Sequence, residues 1–233
     1  MKKSFSIALI LVFLAFSKAS AQDKTTTDET NKPAAEQTQE RKITEAEFKA
    51  VQKKSADKTA GKNYSIKKTS KTYKKSDKSL MYFFNETSEY LLPDSSRSVV
   101  ENGSASGGST VTETIRIGQK TYTRLNNGEW QTTEARTNNS QNAQVTSGNT
   151  AEYTYKGKVE LNEMPADLYE SKYVTKTDKG GRDFITTTIV KSWFDKNGIL
   201  LKTEESIETN NSTTQRVTEY EYGANINIEA PIK

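Results

Sequence analysis

The residue types that enzymes use most often for catalysis are missing from this chain or occur without an evident partner. Its 233 residues include no cysteine and no histidine. That excludes disulfides, thiol nucleophiles, the common zinc centres and Ser-His-Asp triads. The remaining possibilities are carboxylate, lysine, hydroxyl or tyrosine chemistry.

The acidic residues form two patterns that could in principle support chemistry. Residues 195–198 (DKNG) resemble the start of a calcium loop, but the alternating oxygen ligands and closing glutamate are missing, so a hairpin turn is favoured. Glu204 with Glu205, or Glu219 with Glu221, could be a glycosidase pair. Carboxylates spaced by two on a strand usually mark its solvent-facing side. We therefore predict no catalytic residue, no metal and no cofactor.

The first 21 residues have the organisation of a signal peptide. Lys2 and Lys3 precede an apolar run over residues 5–16 (FSIALILVFLAF), and Ala19-Ser20-Ala21 predicts cleavage after Ala21. The run is too short to span a bilayer comfortably, and no later segment approaches 18 apolar residues. We expect a periplasmic or secreted protein with no integral membrane segment in the mature chain.

The chain that remains after removal of the signal peptide is nearly neutral. Without the signal peptide, 31 basic residues stand against 30 acidic ones, whereas the full chain has a net charge of +4. This balance provides no basic footprint for nucleic acid.

Residues 22–42 contain no large apolar side chain, which predicts a disordered linker. A single domain is expected over residues 43–233.

One helix is predicted at the start of this domain. Thr44 and Glu47 form a capping box, and Ile43 with Phe48 occupies the positions of a hydrophobic staple. The helix should run from about 45 to 60. Phe48 and Val51 are its only large apolar residues, and their burial gives roughly 3 to 6 kcal/mol. Such a helix is marginal alone and must dock on another element.

After this helix, the sequence of the domain predicts strands separated by turn residues. The predicted strands cover residues 64–73, 80–91, 97–101, 111–117, 120–125, 152–161, 167–176, 184–194, 199–207 and 216–222. Asn197-Gly198 predicts a hairpin with a type I′ turn, and Asn127-Gly128 and residues 179–181 mark further reversals. Ten sequential strands with short turns predict an antiparallel meander.

The alternation of side chains predicts a sheet with one apolar face. Val111, Ile115 and Ile117 should share a face, as should a second set on a later strand, namely Tyr153, Tyr155, Val159 and Leu161. Such a meander must close into a barrel, fold into a sandwich or be covered by helices. A closed, self-packed core is the reading that periodicity alone favours. The alternative is an apolar face that one thin helix covers incompletely, which would suit an acyl chain.

Several segments resemble one family in their order and spacing. They are residues 89–97 (EYLLPDSSR), 115–124 (IRIGQKTYTR), 128–130 (GEW), 164–169 (MPADLY), 193–201 (WFDKNGILL) and 222–231 (YGANINIEAP). Together they are similar to the LolA-like superfamily of periplasmic lipoprotein carriers and lipid-binding envelope proteins. The resemblance covers about residues 45–231. It implies a mainly β fold, with a strongly curved antiparallel meander that forms an unclosed half-barrel covered by helix. It also implies a binding or carrier protein for a lipid or acylated lipoprotein, and not an enzyme.

The sequence departs from this family pattern at residues 131–150. Where such carriers have apolar helices, this segment is polar, with Val145 its only large apolar residue. A solvated loop, or a surface for a polar partner, is expected. The alternative function is therefore a non-catalytic structural or adaptor module of the envelope that binds another protein.

The candidate cavity residues are large apolar or aromatic residues, each of which could equally be ordinary core. They are Phe48, Val51, Tyr82, Phe84, Tyr122, Tyr153, Tyr155, Trp193, Leu201 and Tyr220. Arg97 and Arg124 are candidates for contact with a headgroup at the rim, although an arginine on an exposed strand is usually a solvated charge.

The absence of histidine leads to a prediction about pH. No unperturbed side chain titrates between about pH 5.5 and 7.5 in such a chain, so ligand affinity should vary little across that interval. Titration with an uncharged ligand at both ends of the interval tests this. A steep change in affinity would contradict it.

Overall fold

The computed structural model describes residues 40–134, 148–178 and 183–231. These residues form one helix and twelve strands. In chain order they are β1 (Arg41–Ile43), α1 (Glu45–Thr59), β2 (Tyr64–Lys74), β3 (Leu80–Leu91), β4 (Ser95–Ser104), β5 (Ser109–Ile117), β6 (Lys120–Leu125), β7 (Gln131–Glu134), β8 (Gly148–Leu161), β9 (Met164–Asp178), β10 (Asp183–Asp195), β11 (Leu200–Glu208) and β12 (Ser212–Tyr222). The predicted helix and all ten predicted strands are confirmed.

Helix α1 begins at the predicted capping box. The Thr44 amide donates to Glu47 Oε2 at 2.7 Å, and the Glu47 amide donates to Thr44 Oγ at 3.2 Å. These bonds satisfy amides that the first helical turn leaves without intrahelical partners. The helix ends at Thr59, and Gly61 follows at a φ of +74°.

The strands form a single antiparallel sheet in the order β1-β8-β9-β10-β11-β12-β2-β3-β4-β5-β6-β7. It consists of two meanders, β2 to β7 and β8 to β12, joined where β12 pairs with β2. Strands β1 and β7 form its two edges, so the sheet is not closed into a barrel. An open, mainly β antiparallel meander with one helix is confirmed, and its only break in chain order among the strands after α1 lies between β7 and β8, which are not neighbours in the sheet.

Two strands lie where the sequence predicted none. Strand β1 pairs with residues 153–155 of β8, which places Arg41 and Lys42 in the sheet although the linker was expected to extend through them. Strand β7 pairs with β6 inside the segment expected to be a loop. Both pairings use backbone hydrogen bonds, which require no apolar side chain. Residues 135–147 of that expected loop lie outside the described residues.

The register shows that the apolar residues of β8 divide between the two faces of the sheet. Directly paired residues share a face. Tyr155 pairs with Tyr169, but the next pair joins Gly157 to Leu168, so Lys156 is an extra residue. This β-bulge reverses the alternation. The prediction that Val159 and Leu161 share a face with Tyr153 and Tyr155 was therefore wrong.

The apolar residues of β5 lie on the face opposite the helix. Ile115 pairs with Tyr122, and both are buried. Residues of the C-terminal segment 223–231 line a cavity of about 420 Å³ together with Ile115, and Ile226 of that segment is buried. The prediction of a single apolar face was wrong, because Ile115, Tyr122 and Trp193 are buried on the face opposite the helix, whereas Phe194 is buried on the helix side.

Two of the three predicted turns lie within the described residues, and both differ in detail from the prediction. The 195–199 hairpin forms, but only Gly198 has positive φ there, so the turn is not type I′. In the turn predicted at Asn127-Gly128, the residues with positive φ are Asn126 and Asn127, one position earlier in the chain. The reversal predicted at residues 179–181 lies outside the described residues.

The attachment of α1 to the sheet can be tested at Ser55. This side chain is buried, and its Oγ accepts the Leu200 amide at 2.9 Å. Replacement Ser55→Ala leaves that amide without its acceptor, and we expect a loss of about 1 to 2 kcal/mol in the free energy of unfolding. Urea unfolding followed by tryptophan fluorescence measures it. Ser76→Ala, at an exposed turn position, is the control and should change little. Equal stability of the two variants would contradict this role of Ser55.

A candidate ligand groove between the helix and the sheet

The helix lies on the β8 to β11 side of the sheet. The Phe48 ring centroid is 5.3 Å from that of Tyr153 and 6.1 Å from that of Tyr169. Near the other end of α1, Lys58 Nζ donates to the Asn197 carbonyl in the β10–β11 turn, and Ser55 bonds to β11. The helix is thus fixed at its two ends. We call the sheet surface beneath it the helix face.

A cavity of about 480 Å³ lies between the middle of α1 and the helix face. Its walls come from the helix and from β9 to β12. The lining residues are Phe48, Gln52, Ser55, Ala56, Thr59, Ser171, Tyr173, Val190, Ser192, Phe194, Leu200, Thr203, Tyr220 and Tyr222. The cavity exists because α1 spans the sheet without filling the space under it.

A second hollow of about 400 Å³ extends this cavity beyond the helix. The cavity and the second hollow share the lining residues Val190, Thr203 and Tyr220. The second hollow also reaches Ile66 of β2 and Glu86 of β3. Strands β10 and β3 are four strand spacings apart, so the sheet curves around this space with the helix face on the inside. We call the two hollows together the groove.

Two clusters of aromatic rings border the groove, and they contribute Phe48, Phe194, Tyr90 and Tyr222 to its lining. One surrounds Phe48 and includes Tyr169, whose ring meets that of Phe194 edge-on at 5.5 Å. The other begins at Tyr64, which stacks on Tyr90 with the ring centroids 4.5 Å apart. Tyr222 lies 6.0 Å from Tyr64. Aromatic rings provide a large apolar surface with polar hydroxyl groups at their edges.

The floor beneath the helix consists of small hydroxyl side chains. Ser171 is 1% exposed and Ser192 is 4% exposed. Ser192 pairs with Thr203, which pairs with Thr218, so a row of hydroxyls crosses three strands. These short side chains leave room that a leucine or phenylalanine would occupy. The open volume follows from side-chain size at the floor.

Charged residues lie at the end of the groove that is farther from the helix. Arg216 Nη1 donates to Glu205 Oε2 across the β11–β12 pair. Lys68 Nζ lies 3.7 Å from Glu86 Oε2 and 5.3 Å from the centre of the Phe84 ring. The groove therefore changes from aromatic and hydroxyl-lined under α1 to charged beyond it.

The environment raises the pKa of several groove tyrosines. Burial, together with repulsion from Tyr220 and Tyr64 when they ionise, raises the pKa of Tyr222 to about 12. Burial and a hydrogen bond with Tyr173 raise the pKa of Tyr153 to about 12. Burial also raises the pKa of Tyr220. These phenols therefore stay neutral well above the pH at which a tyrosine in an unfolded chain ionises.

The structure brings seven of the ten candidate cavity residues to the helix face or the helix itself, and two of the seven line the cavity. Phe48 and Tyr220 line it directly. Tyr153 and Tyr155 lie in the aromatic cluster around Phe48, and Tyr155 donates to Asp167 at 2.8 Å. The others in this group are Val51 on α1, Phe84 beside Lys68, and Tyr82, which is 57% exposed.

The structure places the remaining three candidates away from the groove. Trp193 and Tyr122 are buried on the opposite face, as the register and the Lys202 ammonium over the Trp193 ring indicate. Leu201 is the unpaired residue at the irregular start of β11. It lines a smaller hollow of about 230 Å³ with Met164.

The two rim candidates also lie on the opposite face. Arg97 bonds to Glu113 Oε1 through Nε and Nη2, and Arg124 bonds to Oε2 in the same way. Glu113 is only 8% exposed. Arg124 also lies over the Trp130 ring at 4.7 Å. The two arginines hold a buried carboxylate beside the C-terminal segment, and they do not contribute to the groove.

Sequence reasoning missed most of the polar residues of the groove. Ser171, Ser192 and Thr203 are short and occur in a chain rich in serine and threonine, so nothing marks them. Arg216 could have been found, since it stands opposite Glu205 once β11 and β12 are paired. That pairing requires a register that the sequence leaves open.

Within residues 40–134, 148–178 and 183–231, no cluster of three or more acidic side chains is arranged to hold a metal ion. The same residues include no helix with the length and apolar character needed to cross a membrane.

The fold and the groove define a class of protein, an open curved sheet with one covering helix and a ligand-sized space between them. No family model matches the sequence, and none of the curated proteins does. Among solved structures, LprF from Mycobacterium bovis is similar over 80% of this chain and 97% of its own length, with 11% identity and a TM-score of 0.42.

Two further solved structures are similar to this chain. A domain assigned as an outer membrane lipoprotein-sorting protein from Vibrio parahaemolyticus matches 76% of this chain and 93% of its own length, with 10% identity and a TM-score of 0.31. A DUF1329 family protein from Desulfovibrio piger matches 77% of this chain and 94% of its own length, with 10% identity and a TM-score of 0.29.

The raised pKa of Tyr222 predicts how stability depends on alkaline pH. An unfolded tyrosine ionises near pH 10, whereas Tyr222 in the folded protein stays neutral until about pH 12. Its contribution to stability is therefore complete below about pH 10 and is lost as the pH rises toward 12. Tyr222→Phe should make the fall in unfolding free energy over this interval shallower, as measured by urea unfolding at several pH values. Tyr82→Phe, at an exposed position, should keep the steeper wild-type fall. Parallel curves for wild type and Tyr222→Phe would contradict the prediction.

Proposed function

We propose that this protein is an exported envelope protein that binds a lipid or a lipoprotein acyl chain in the groove, as a non-catalytic carrier. The observation on which the proposal rests is the cavity of about 480 Å³ between α1 and the helix face. Small-molecule sites are concave, apolar or aromatic in most of their lining, and about 300 to 1,000 Å³ in volume. The cavity lies within this range of volume, and eight of its fourteen lining residues are apolar or aromatic.

The way α1 is attached supports reversible entry of a ligand. Phe48 is 3% exposed and anchors the start of the helix. Ala56, in the middle of the cavity-lining stretch, is exposed although it lines the cavity. The space is therefore open to solvent along the side of the helix. A chain could enter there without unfolding of the sheet.

Export is proposed from the sequence. Residues 1–21 have the pattern of a cleavable signal peptide, and a linker joins it to a single domain that begins with β1 at Arg41. These first residues lie outside the described part of the chain. A carrier in the envelope would receive its lipid from one partner and pass it to another. Mass spectrometry of the protein secreted into a bacterial periplasm would test cleavage after Ala21.

Obstruction of the cavity gives a direct test of binding. Ala56→Trp places an indole at the exposed mouth of the cavity, so we expect it to weaken binding of an uncharged apolar fluorophore, N-phenyl-1-naphthylamine, by about tenfold. Ala50→Trp is the matched control, because Ala50 is exposed on the same helix and does not line the cavity. Fluorescence titration of the three proteins gives the affinities.

Native mass spectrometry adds a test without mutation. Protein purified from an envelope fraction should retain acyl-bearing adducts, and added monopalmitoylglycerol should displace the fluorophore. An adduct-free mass, together with no fluorophore uptake, would overturn the proposal. Equal binding by Ala56→Trp and Ala50→Trp would show that the ligand lies elsewhere.

A further inference from the structure

The cavity of about 420 Å³ on the face opposite the helix is separate from the groove. Three neighbouring strands, β4, β5 and β6, contribute Arg97, Glu113, Ile115 and Arg124 to its lining. Trp130 and the C-terminal segment supply the other walls. Because the sheet lies between this cavity and the groove, a ligand here would not be the ligand of the groove.

The two arginines of this cavity hold one carboxylate from two sides. Arg97 Nε and Nη2 donate to Glu113 Oε1 at 3.2 and 3.0 Å. Arg124 Nε and Nη2 donate to Glu113 Oε2 at 2.8 and 2.5 Å. Glu113 lies on the middle strand of the three and is only 8% exposed. Both of its oxygens are occupied, and these bonds fix the two guanidiniums in place.

These three side chains leave one positive charge and two donor groups unused. Two guanidiniums stand against one carboxylate, and the described residues provide no further ion pair to either arginine. Each guanidinium bonds through its Nε and Nη2 edge, so Nη1 has no acceptor within the same residues. Arg124 Nη1 is not among the buried polar atoms, and the Arg97 side chain is 45% exposed. A ligand can therefore reach both groups.

Two other lining residues define the surroundings of this charge. The Arg124 guanidinium lies over the Trp130 ring, 4.7 Å from its centre. Glu229 also lines the cavity, but its Oε1 accepts from Asn227 at 3.0 Å, and no ion pair joins it to either arginine. Glu229 is exposed, so solvent and salt screen its repulsion of an anion. The fixed guanidiniums are the stronger influence on a ligand in this cavity.

We propose that this cavity binds a phosphate group, free or in an ester, through the Nη1 groups of Arg97 and Arg124. Guanidinium groups suit phosphate because their N–H donors match its several oxygens. A phosphate carries at least one negative charge, which the excess charge of the cluster balances. Because Glu113 already fixes both arginines, little side-chain freedom is lost on binding. This site goes beyond the proposed function and does not depend on a ligand in the groove.

Trp130 provides the readout of the first test, because a phosphate at Arg124 changes the surroundings of its indole. Titration of the full chain with sodium phosphate at pH 7 should give a saturable change in tryptophan emission, and Trp130→Phe should abolish it. Sodium acetate at equal ionic strength is the control and should change the emission little. An absent response to phosphate, an equal response to acetate, or a response that persists in Trp130→Phe would overturn the proposal.

The second test removes one of the two donors. Arg97→Gln should weaken phosphate binding about tenfold, since it removes a charge-assisted hydrogen bond, while Glu113 keeps its bonds to Arg124. Arg116→Gln is the matched control, because it removes the same charge from β5 at an exposed residue that does not line the cavity. Equal affinities of the two variants for phosphate would show that Arg97 does not bind it.

The third test predicts a gain of affinity, which damage to the fold could not produce. Glu229→Gln removes a negative charge from the cavity lining, so phosphate should bind about two- to threefold more tightly. The same emission titration measures this gain. Unchanged or weaker binding would place the phosphate outside this cavity.

Vesicles of phosphatidylglycerol distinguish a lipid headgroup from a free phosphate compound as the source of the group. Co-sedimentation that Arg97→Gln reduces and Arg116→Gln preserves would identify a headgroup. Phosphate binding without such a difference between the two variants on vesicles would identify a free phosphate compound. Either result agrees with a phosphate site, whereas loss of both the phosphate response and the Arg97-dependent co-sedimentation would overturn it.

Discussion

The pairing of β2 with β12 is the interaction on which the rest of the structure depends. Each of the eleven residues of β2 has a register partner in β12, although the two strands lie about 140 residues apart in the chain. This pairing joins the two meanders into one sheet. The groove requires it, because Ile66 and Glu86 come from one meander and Val190 and Arg216 from the other.

A single helix can cover such a sheet without filling the space beneath it because the two have different shapes. Aromatic rings at Phe48 and Tyr169 support the start of α1, and Ser55 holds its later part against β11. Between these points the sheet presents Ser171 and Ser192, whose side chains are too short to reach the helix. The polar floor therefore preserves the open volume, whereas a uniformly apolar floor would have packed against α1.

The candidate site was predictable only where a local signal existed. Phe48 was identified because it follows a capping box and completes a hydrophobic staple, and Tyr220 because it is a large aromatic residue on a strand. Trp193 and Tyr122 carried the same signal but lie on the opposite face. Residue type predicts that a side chain is buried, but it does not predict the face of the sheet on which the side chain lies. Arg216 acquires its role from Glu205 on the neighbouring strand, a relation that one strand cannot show.

The sequence by itself determined the helix, ten of the strands and the exclusion of cysteine and histidine chemistry, because capping and alternation act between residues a few positions apart. The tertiary structure decided the order of the strands, the faces and the groove. One extra residue at Lys156 reversed the faces of Val159 and Leu161, since alternation has a period of two and any insertion inverts it. Pairing between distant strands leaves no local pattern, so the space that the two meanders enclose exists only once they have met.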